Sequence, residues 1–344
     1  MKHEQIIGFG IVGTGVVADF HRRAIEANAD KGARLVAVST RDPVKHQAAG
    51  KAFGVDCISY EELCRHPRID VICICTPSGY HAAQAVAAAG AGKHALVEKP
   101  MALTLDDADN MIEAFSRAGR LLGVALQRRA EPLFRTIFDA IRAGDLGRLT
   151  SGIVTIPYHR PQSYFDSQAW RGMWALDGGG VLMNQGIHLV DLLVWYMGDP
   201  VEIKAFGATL RKWIEVEDTV AASLRFPGGA MATIIATTVA PPGFPHRLEI
   251  YGTRGGIQVE GEAVTRWSLV DAAAAVVEPP ELQVMSGAGA GGDPKAIPIS
   301  GHVGLISNFM DALRGNGSLF IDGKEGRRSL AAVLGVYSVA ELIR

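Results

Sequence analysis

The sequence predicts an α/β protein with two domains: a doubly wound parallel sheet first, and an α+β domain with a mostly antiparallel sheet after it. Three observations carry this. The first 125 or so residues alternate short apolar runs with helical runs. After Arg128 the strand-like runs cluster and are joined by tight turns. The first strand ends in a glycine-rich turn that opens a helix.

In the first half, IIGFGIVG leads into VVADFHRRAIEANA, RLVAVST into DPVKHQAAGKAFG, and VICICTP into YHAAQAVAAAGAG; HALVEKP then leads into TLDDADNMIEAFSRAG, and LLGVAL closes the series. Continuous apolar strands are expected where helices cover both faces of a sheet, and strand–helix alternation argues for a parallel one. Helix starts are marked: Asp42 precedes Pro43 as an N-cap before an N1 proline, and Thr104 with Asp107 approximates a capping box. EPLFRTIFDAIRAG is an amphipathic helix that opens the second half. The strands LTSGIVTIPY, VEIKAFGATL, DTVAASLRF, GAMATIIATTVA and RLEIYG follow, with hairpin turns expected at FPGG (226–229) and TRGG (253–256). The Gly/Ala-rich stretch near 285–294 reads as a mobile loop, and helical segments are expected at about 302–314 and 325–343. The domains are placed at 1–128 and 129–344, the last helices being able to pack back on the first domain.

Composition narrows the function. With 344 residues, 48% hydrophobic, 20% charged and a net charge of −2, the chain lacks the basic face that nucleic-acid binding needs. No apolar run is long enough for a bilayer, and the N-terminus has no signal-peptide layout. Cys57, Cys64, Cys73 and Cys75 have no zinc spacing and read as reduced structural thiols of a cytoplasmic protein. No metal site is expected.

Gly13-Thr14-Gly15-Val16-Val17-Ala18 is a G-x-G-x-x-A pattern between a strand and a helix. One glycine makes the turn, the next lets backbone approach a pyrophosphate, and the small third residue lets helix pack on strand, with the positive helix end facing the phosphates. This marks a Rossmann domain for NAD or NADP. Asp42 is used as a cap, whereas Ser39, Thr40 and Arg41 offer hydroxyls and a guanidinium suited to a 2′-phosphate, so the reading favours NADP. Ligands bind beyond the carboxyl ends of parallel strands, which places Thr76, Pro77 and His81, then Glu98 and Lys99, and Gln127 after the last strand, among the cofactor-binding candidates.

In the second half, GGGVLMNQGIHLVDLL is apolar on nearly every side, yet Asn184, His188 and Asp191 are spaced i, i+4, i+7, one narrow stripe of an α-helix. The preceding loop RPQSYFDSQAWRGMWALD is rich in aromatics and carries Arg160, Gln162 and Arg171, which suit a sugar ring and an acid or phosphate group on it, or an interdomain or subunit edge.

Taken together, the G-x-G-x-x-A loop, Glu98-Lys99-Pro100 and the Gly-rich helix with Asn184 and His188 resemble the Gfo/Idh/MocA oxidoreductases, the relatives of glucose–fructose oxidoreductase and inositol 2-dehydrogenase, over essentially the whole chain. The resemblance implies an open C-terminal sheet that makes homodimer or homotetramer contacts. It implies NAD(P)-dependent hydride transfer at a hydroxyl or carbonyl carbon of a sugar, sugar derivative or cyclitol. The polar stripe would then face the nicotinamide. Lys99 matches the family's lysine and His188 its general acid or base. Many members have Asp where this chain has Asn184; an amide carries no charge, which makes Asn184 a substrate hydrogen-bonding group and puts an Asp-dependent relay in doubt. Trp170-Arg171 resembles a pair that some members place beside cofactor and substrate, and His302 falls where some supply another cofactor contact. Asp191 could orient His188 or satisfy a buried polar neighbour. Two other classes remain: an NAD-dependent glycoside hydrolase working by transient oxidation, and a catalytically silent nucleotide-binding sensor.

Overall fold

The computed structural model describes residues 6–270, 276–277 and 298–343; the loop expected near 285–294 lies outside them. The chain forms two compact units, Met1–Ala130 with Ile299–Arg327, and Glu131–Pro298 with Arg328–Arg344.

The first unit is built on six parallel strands: β1 (Ile7–Val12), β2 (Ala33–Ser39), β3 (Asp56–Cys57), β4 (Val71–Ile74), β5 (His94–Glu98) and β6 (Leu122–Ala125). Their order is β3-β2-β1-β4-β5-β6, so the order in which the chain adds strands reverses between β1 and β4 while every pairing stays parallel. Every residue of β1, β4 and β6 is buried, as the uninterrupted apolar runs require of strands covered on both faces. β3 is only two residues long, too short to leave a periodic signal, and is absent from the sequence reading. Asp42 does cap, its carboxylate accepting from the Val44 N–H. At the helix Leu105–Ala118, Thr104 accepts from the Asp107 N–H, but the Asp107 carboxylate takes the Thr104 hydroxyl. A complete capping box occurs instead at Ser59 and Glu62. The helix Ser300–Leu313 also belongs to this unit; the Asn28 side-chain amide donates to the Val303 carbonyl, and Arg129, 1% exposed, pairs with Glu325.

The second unit carries a nine-stranded sheet: β7 (Leu149–Pro157), β8 (Glu202–Ala208), β9 (Thr219–Arg225), β10 (Met231–Thr237), β11 (Arg247–Gly252), β12 (Gly255–Glu260), β13 (Ala263–Val270), β14 (Val276–Val277) and β15 (Glu341–Ile343). The order is β14-β13-β12-β11-β7-β10-β9-β8-β15, antiparallel except where β7 meets β10 and β8 meets β15. FPGG forms the β9–β10 turn as expected. At TRGG the turn is Thr253-Arg254 and the glycines already lie in β12. The sequence reading stops at RLEIYG and gives residues 341–343 to a helix; the structure adds β12 to β14, ends that helix at Val339 and places Glu341–Ile343 beside β8.

One face of this sheet packs against the helix Ile187–Met197. β9 and β10 alternate buried and exposed residues, with Val220, Ala222, Leu224, Ala232, Ile234 and Ala236 turned inward. Gly152 in β7 makes room for the helix, since a Cβ there would lie 2.7 Å from Met197 Sδ and 2.9 Å from Leu193 Cδ1. The helix Pro132–Ala143 is pinned alongside by a Phe138–Trp195 stack at 4.0 Å and by the Tyr196 hydroxyl donating to the Phe134 carbonyl.

Candidate active-site residues in the two units

In the first unit the glycine loop divides its labour as the spacing predicts. Gly13 adopts φ +90°, and a Cβ there would sit 2.5 Å from the Cys75 carbonyl oxygen, because the backbone after β4 still runs against the end of β1, the Cys75 N–H donating to the Val12 carbonyl at 2.8 Å. A Cβ on Gly15 would meet nothing within 4 Å. Gly15 is the N-cap of the helix Val16–Glu26, and no side chain caps its N–H groups. Open space before uncapped N–H groups fits a dinucleotide's pyrophosphate. Ala18, fully buried, is the small residue that lets helix and strand close. Thr14, Val16 and Val17 complete the loop, Val16 being exposed. Ser39 is buried at the end of β2 and its carbonyl accepts from the Gly13 N–H. Thr40 follows, and its carbonyl contacts the His46 ring. Arg41 is exposed, lies over the Tyr80 ring at 5.4 Å and donates to the Tyr80 hydroxyl at 3.1 Å.

Behind this mouth is a buried polar cluster. His21 Nε2 donates to Glu98 Oε1 at 2.8 Å, His302 Nε2 lies 3.6 Å from the same oxygen, and Glu98 Oε2 accepts from the Lys99 backbone N–H at 3.1 Å. Burial alone would push Glu98 up, but the His21 and His302 contacts outweigh it and hold the carboxyl well below the usual range. Glu98 is therefore an ionised support under Lys99, which is half-buried at the end of β5 next to a cis Lys99–Pro100 peptide. His21, Glu98 and His302 also bring three potential metal-ligand atoms within 4.8 Å of one another. Ligands about 2.1 Å from a shared tetrahedral ion stand roughly 3.4 Å apart, and the 2.8 Å His21–Glu98 separation is that of a hydrogen bond. His81 is 1% exposed, and its two ring nitrogens each lie 2.8 Å from a backbone carbonyl, those of Pro100 and Thr76. It ties the ends of β4 and β5 together. Pro77 follows Thr76, whose hydroxyl bonds Gln84, and Gln127 is buried just after β6. All four cysteines are free thiols, and burial pushes Cys75 up to about 11, so it is neutral at physiological pH.

In the second unit the expected stripe is not a simple α-helical one. Val181–Gly186 is a π-helical turn, and the α-helix begins only at Ile187. A wider turn changes the angle between Asn184 and residues beyond it, so α-helical spacing does not project Asn184 onto the face of His188 and Asp191. Asn184 Nδ2 donates to Asp177 Oδ1 at 2.7 Å, and Asp177 Oδ2 accepts from the Gly172 N–H at 2.9 Å. Asp191, fully buried, accepts from the Ser329 hydroxyl. His188 is half-buried.

Two acids missed in the sequence organise this region. Glu217, 1% exposed, accepts from the N–H groups of Gly180 (2.8 Å) and Leu182 (3.0 Å) and from the Tyr337 hydroxyl (2.8 Å), so it caps the π-helical turn. A Cβ on Gly180 would lie 1.7 Å from the Glu217 carbonyl oxygen, which explains one glycine of the triplet. Asp177, 3% exposed, joins Asn184 to the loop that carries Trp170 and Arg171. Adjacency was the available signal: Asp177 immediately precedes the glycines, and Glu217-Asp218 stands at the entrance of a strand. In that loop Arg171 lies 4.0 Å over the Tyr164 ring and 5.1 Å from Trp170. Gln185 donates to the Tyr164 hydroxyl at 3.4 Å.

Comparison with known proteins matches residues 7–126 to the oxidoreductase family with an NAD-binding Rossmann fold, and residues 134–258 to the GFO/IDH/MocA C-terminal domain. The chain belongs to the Gfo/Idh/MocA family and is an oxidoreductase. It is similar to the WlbA dehydrogenase from Bordetella pertussis, solved in complex with NADH and UDP-GlcNAcA, with 34% identity, a TM-score of 0.85 and coverage of 97% of this chain and 96% of that one. It is 29% identical to 1,5-anhydro-D-fructose reductase from Ensifer adhaerens over 96% of each chain. It is 26% identical to inositol 2-dehydrogenase from Rhizobium meliloti over 97% of each. Among the described residues no helix is long and apolar enough to cross a membrane.

Two predictions follow from this geometry. Gly15→Val will leave the melting temperature near wild type but weaken NADH binding at least tenfold, whereas Gly13→Ala will itself destabilise the fold by on the order of 1–3 kcal/mol. NADH fluorescence titration beside thermal melts separates the two effects. Burial pushes the Glu217 carboxyl up to about 7 from 4.5, against its three hydrogen bonds. A raised folded-state value means that the stability contribution is complete below 4.5 and is lost as pH rises to 7, by at most about 3 kcal/mol. Glu217→Gln will flatten that part of the melting-temperature profile; parallel wild-type and variant profiles would count against it.

Proposed function

We propose that this chain catalyses reversible NAD(P)-dependent hydride transfer at a CH–OH carbon of a sugar, sugar derivative or cyclitol, with Lys99 and His188 as its catalytic residues. The observation that carries the reading is Lys99 at the end of β5, beside a buried, ionised Glu98, in a chain whose Gly15 leaves open space before an uncapped helix N-terminus. The named relatives, a reductase and two dehydrogenases, support net redox chemistry over a transiently oxidising glycoside hydrolase or a silent sensor.

A bound nicotinamide would supply the hydride acceptor or donor. In oxidation the His188 imidazole takes the hydroxyl proton, and the Lys99 ammonium hydrogen-bonds the same oxygen and stabilises its developing negative charge. In reduction Lys99 polarises the carbonyl and His188 returns the proton. An imidazole ordinarily titrates near neutrality and serves both directions. Asn184 would bind a substrate hydroxyl through its amide oxygen, its Nδ2 being directed to Asp177. Trp170 and Arg171 would lie on the substrate side.

For the dinucleotide, Arg41 beside Tyr80 would receive a 2′-phosphate, with Ser39 and Thr40 next to it, so NADP is the proposed preference. The solvent face of the second sheet would form the homodimer or homotetramer contact. Phe206 on β8, and Met231 and Ile235 on β10, the two strands that flank β9, are 64%, 61% and 43% exposed. A small carbohydrate or cyclitol would be the partner in the cytoplasm.

Lys99→Ala and His188→Ala will each lower turnover by two to four orders of magnitude while NADH or NADPH affinity changes by less than about threefold. Near-normal turnover in both variants would overturn the assignment. Arg41→Ala will weaken NADPH binding at least tenfold and NADH binding little; equal effects on the two would remove Arg41 from this role.

A further inference from the structure

Tyr80 faces Arg41 at the mouth of the first unit, and the two come from opposite sides of the dinucleotide turn. β2 and β4 flank β1 in the sheet. Arg41 lies just past Ser39, the end of β2, and Tyr80 ends the short turn Ser78–Tyr80 that follows β4. The hydrogen bond from Arg41 Nη1 to the Tyr80 hydroxyl, 3.1 Å long, therefore joins the chain on the two sides of β1.

The two partners differ in how firmly they are held. The Tyr80 N–H donates to the Pro77 carbonyl at 2.9 Å. His81, the next residue, has its ring nitrogens 2.8 Å from the Pro100 and Thr76 carbonyls, and the Thr76 hydroxyl donates to the Gln84 amide oxygen at 2.6 Å. Tyr80 is thus half-buried on a braced turn, whereas Arg41 is exposed. The one carboxylate of the Arg41 loop, Asp42, accepts from the Val44 N–H at 3.0 Å and lies 3.8 Å from Lys45 Nζ. Arg41 has no carboxylate partner among the described residues. A long side chain on a loop loses rotamer freedom when it binds a ligand. The Tyr80 hydroxyl and ring, with Cζ 5.4 Å from the ring centroid, take up part of that loss beforehand.

The contact also decides what the pair can recognise. A guanidinium only donates, whereas a phenol both donates and accepts. The Tyr80 oxygen accepts from Arg41, so its own proton remains for another acceptor, as do the other guanidinium N–H groups. The pair therefore offers donors around one fixed positive charge. That set suits a phosphate monoester, which is anionic and rich in acceptors, far better than a ribose hydroxyl, which gains no charge-assisted bond of that kind. The gap between ring and guanidinium is too narrow to admit a purine, which would need stacking distance on both sides. The pair is one wall of a site and not a sandwich for the base.

We propose that Tyr80 is a second determinant of dinucleotide choice, orienting Arg41 and donating its own hydroxyl proton to the 2′-phosphate. The inference rests on the proposed NADP preference of the first unit and adds the residue through which Arg41 becomes selective.

The test is isothermal titration of the wild-type full chain, Tyr80→Phe, Arg41→Ala and the double variant with NADPH, NADH, 2′,5′-ADP and 5′-AMP, beside thermal melts. Tyr80→Phe keeps the ring and removes only the hydroxyl. It will weaken NADPH and 2′,5′-ADP binding about three- to tenfold, and NADH and 5′-AMP binding less than about twofold, at an unchanged melting temperature. The same change made on Arg41→Ala will cost less, since no guanidinium is left to orient. Equal weakening of NADPH and NADH by Tyr80→Phe, or no change in either, overturns the inference. Losses that simply multiply in the double variant overturn it too, because Tyr80 would then act independently of Arg41. A chain that binds neither dinucleotide refutes the redox reading. An NADPH preference that Arg41→Ala abolishes and Tyr80→Phe leaves intact refutes this inference alone.

Discussion

Two adjacent carboxylates at the entrance of β9 hold the second unit's functional region together. Glu217 receives the N–H groups that open the π-helical turn before His188, and Asp218 receives three consecutive N–H groups of the segment that presents Trp213. Buried carboxylates are costly unless their oxygens are filled. These two are filled by backbone donors that would otherwise be orphaned, together with the Tyr337 hydroxyl on Glu217 and the Thr219 hydroxyl on Asp218. Each therefore converts a desolvation cost into a fixed loop position. One strand entrance thereby positions both the helix that carries the histidine and the segment that presents Trp213.

The first unit uses the same device in another form. Glu98 is buried under Lys99 and stays ionised because His21 and His302 face it. The ion is placed by three separate elements, the helix Val16–Glu26, β5 and the helix Ser300–Leu313. A lysine at the end of a strand would otherwise be one flexible surface cation. Here its backbone N–H is held by a carboxylate that is itself clamped, which restricts where the side chain starts. His81 braces the same region from the β4 side, its ring set between the Thr76 and Pro100 carbonyls.

Much of the architecture was legible because the patterns are local. Buried parallel strands leave continuous apolar runs, the β9–β10 hairpin leaves alternation around FPGG, and Asp42-Pro43 leaves a cap. β3, β14 and β15 were not legible, since two or three residues carry no period and their pairing is decided by neighbours distant in sequence. The π-helical turn was also invisible. Its apolar composition satisfies an α-helical reading equally well, and the wider turn arises where Glu217, 35 residues on from Leu182, takes the N–H groups at its start.

The sequence alone determined the parallel sheet, the dinucleotide turn and the candidacy of Lys99 and His188, because each depends on spacing within a few residues. Tertiary structure alone decided which polar groups support which. It set Glu98 between two histidines, joined Asn184 to Asp177, and put Asp218 beneath the segment that displays Trp213. Burial is a property of the whole fold, and a polar residue's role depends on what shares its buried space, which no local pattern encodes.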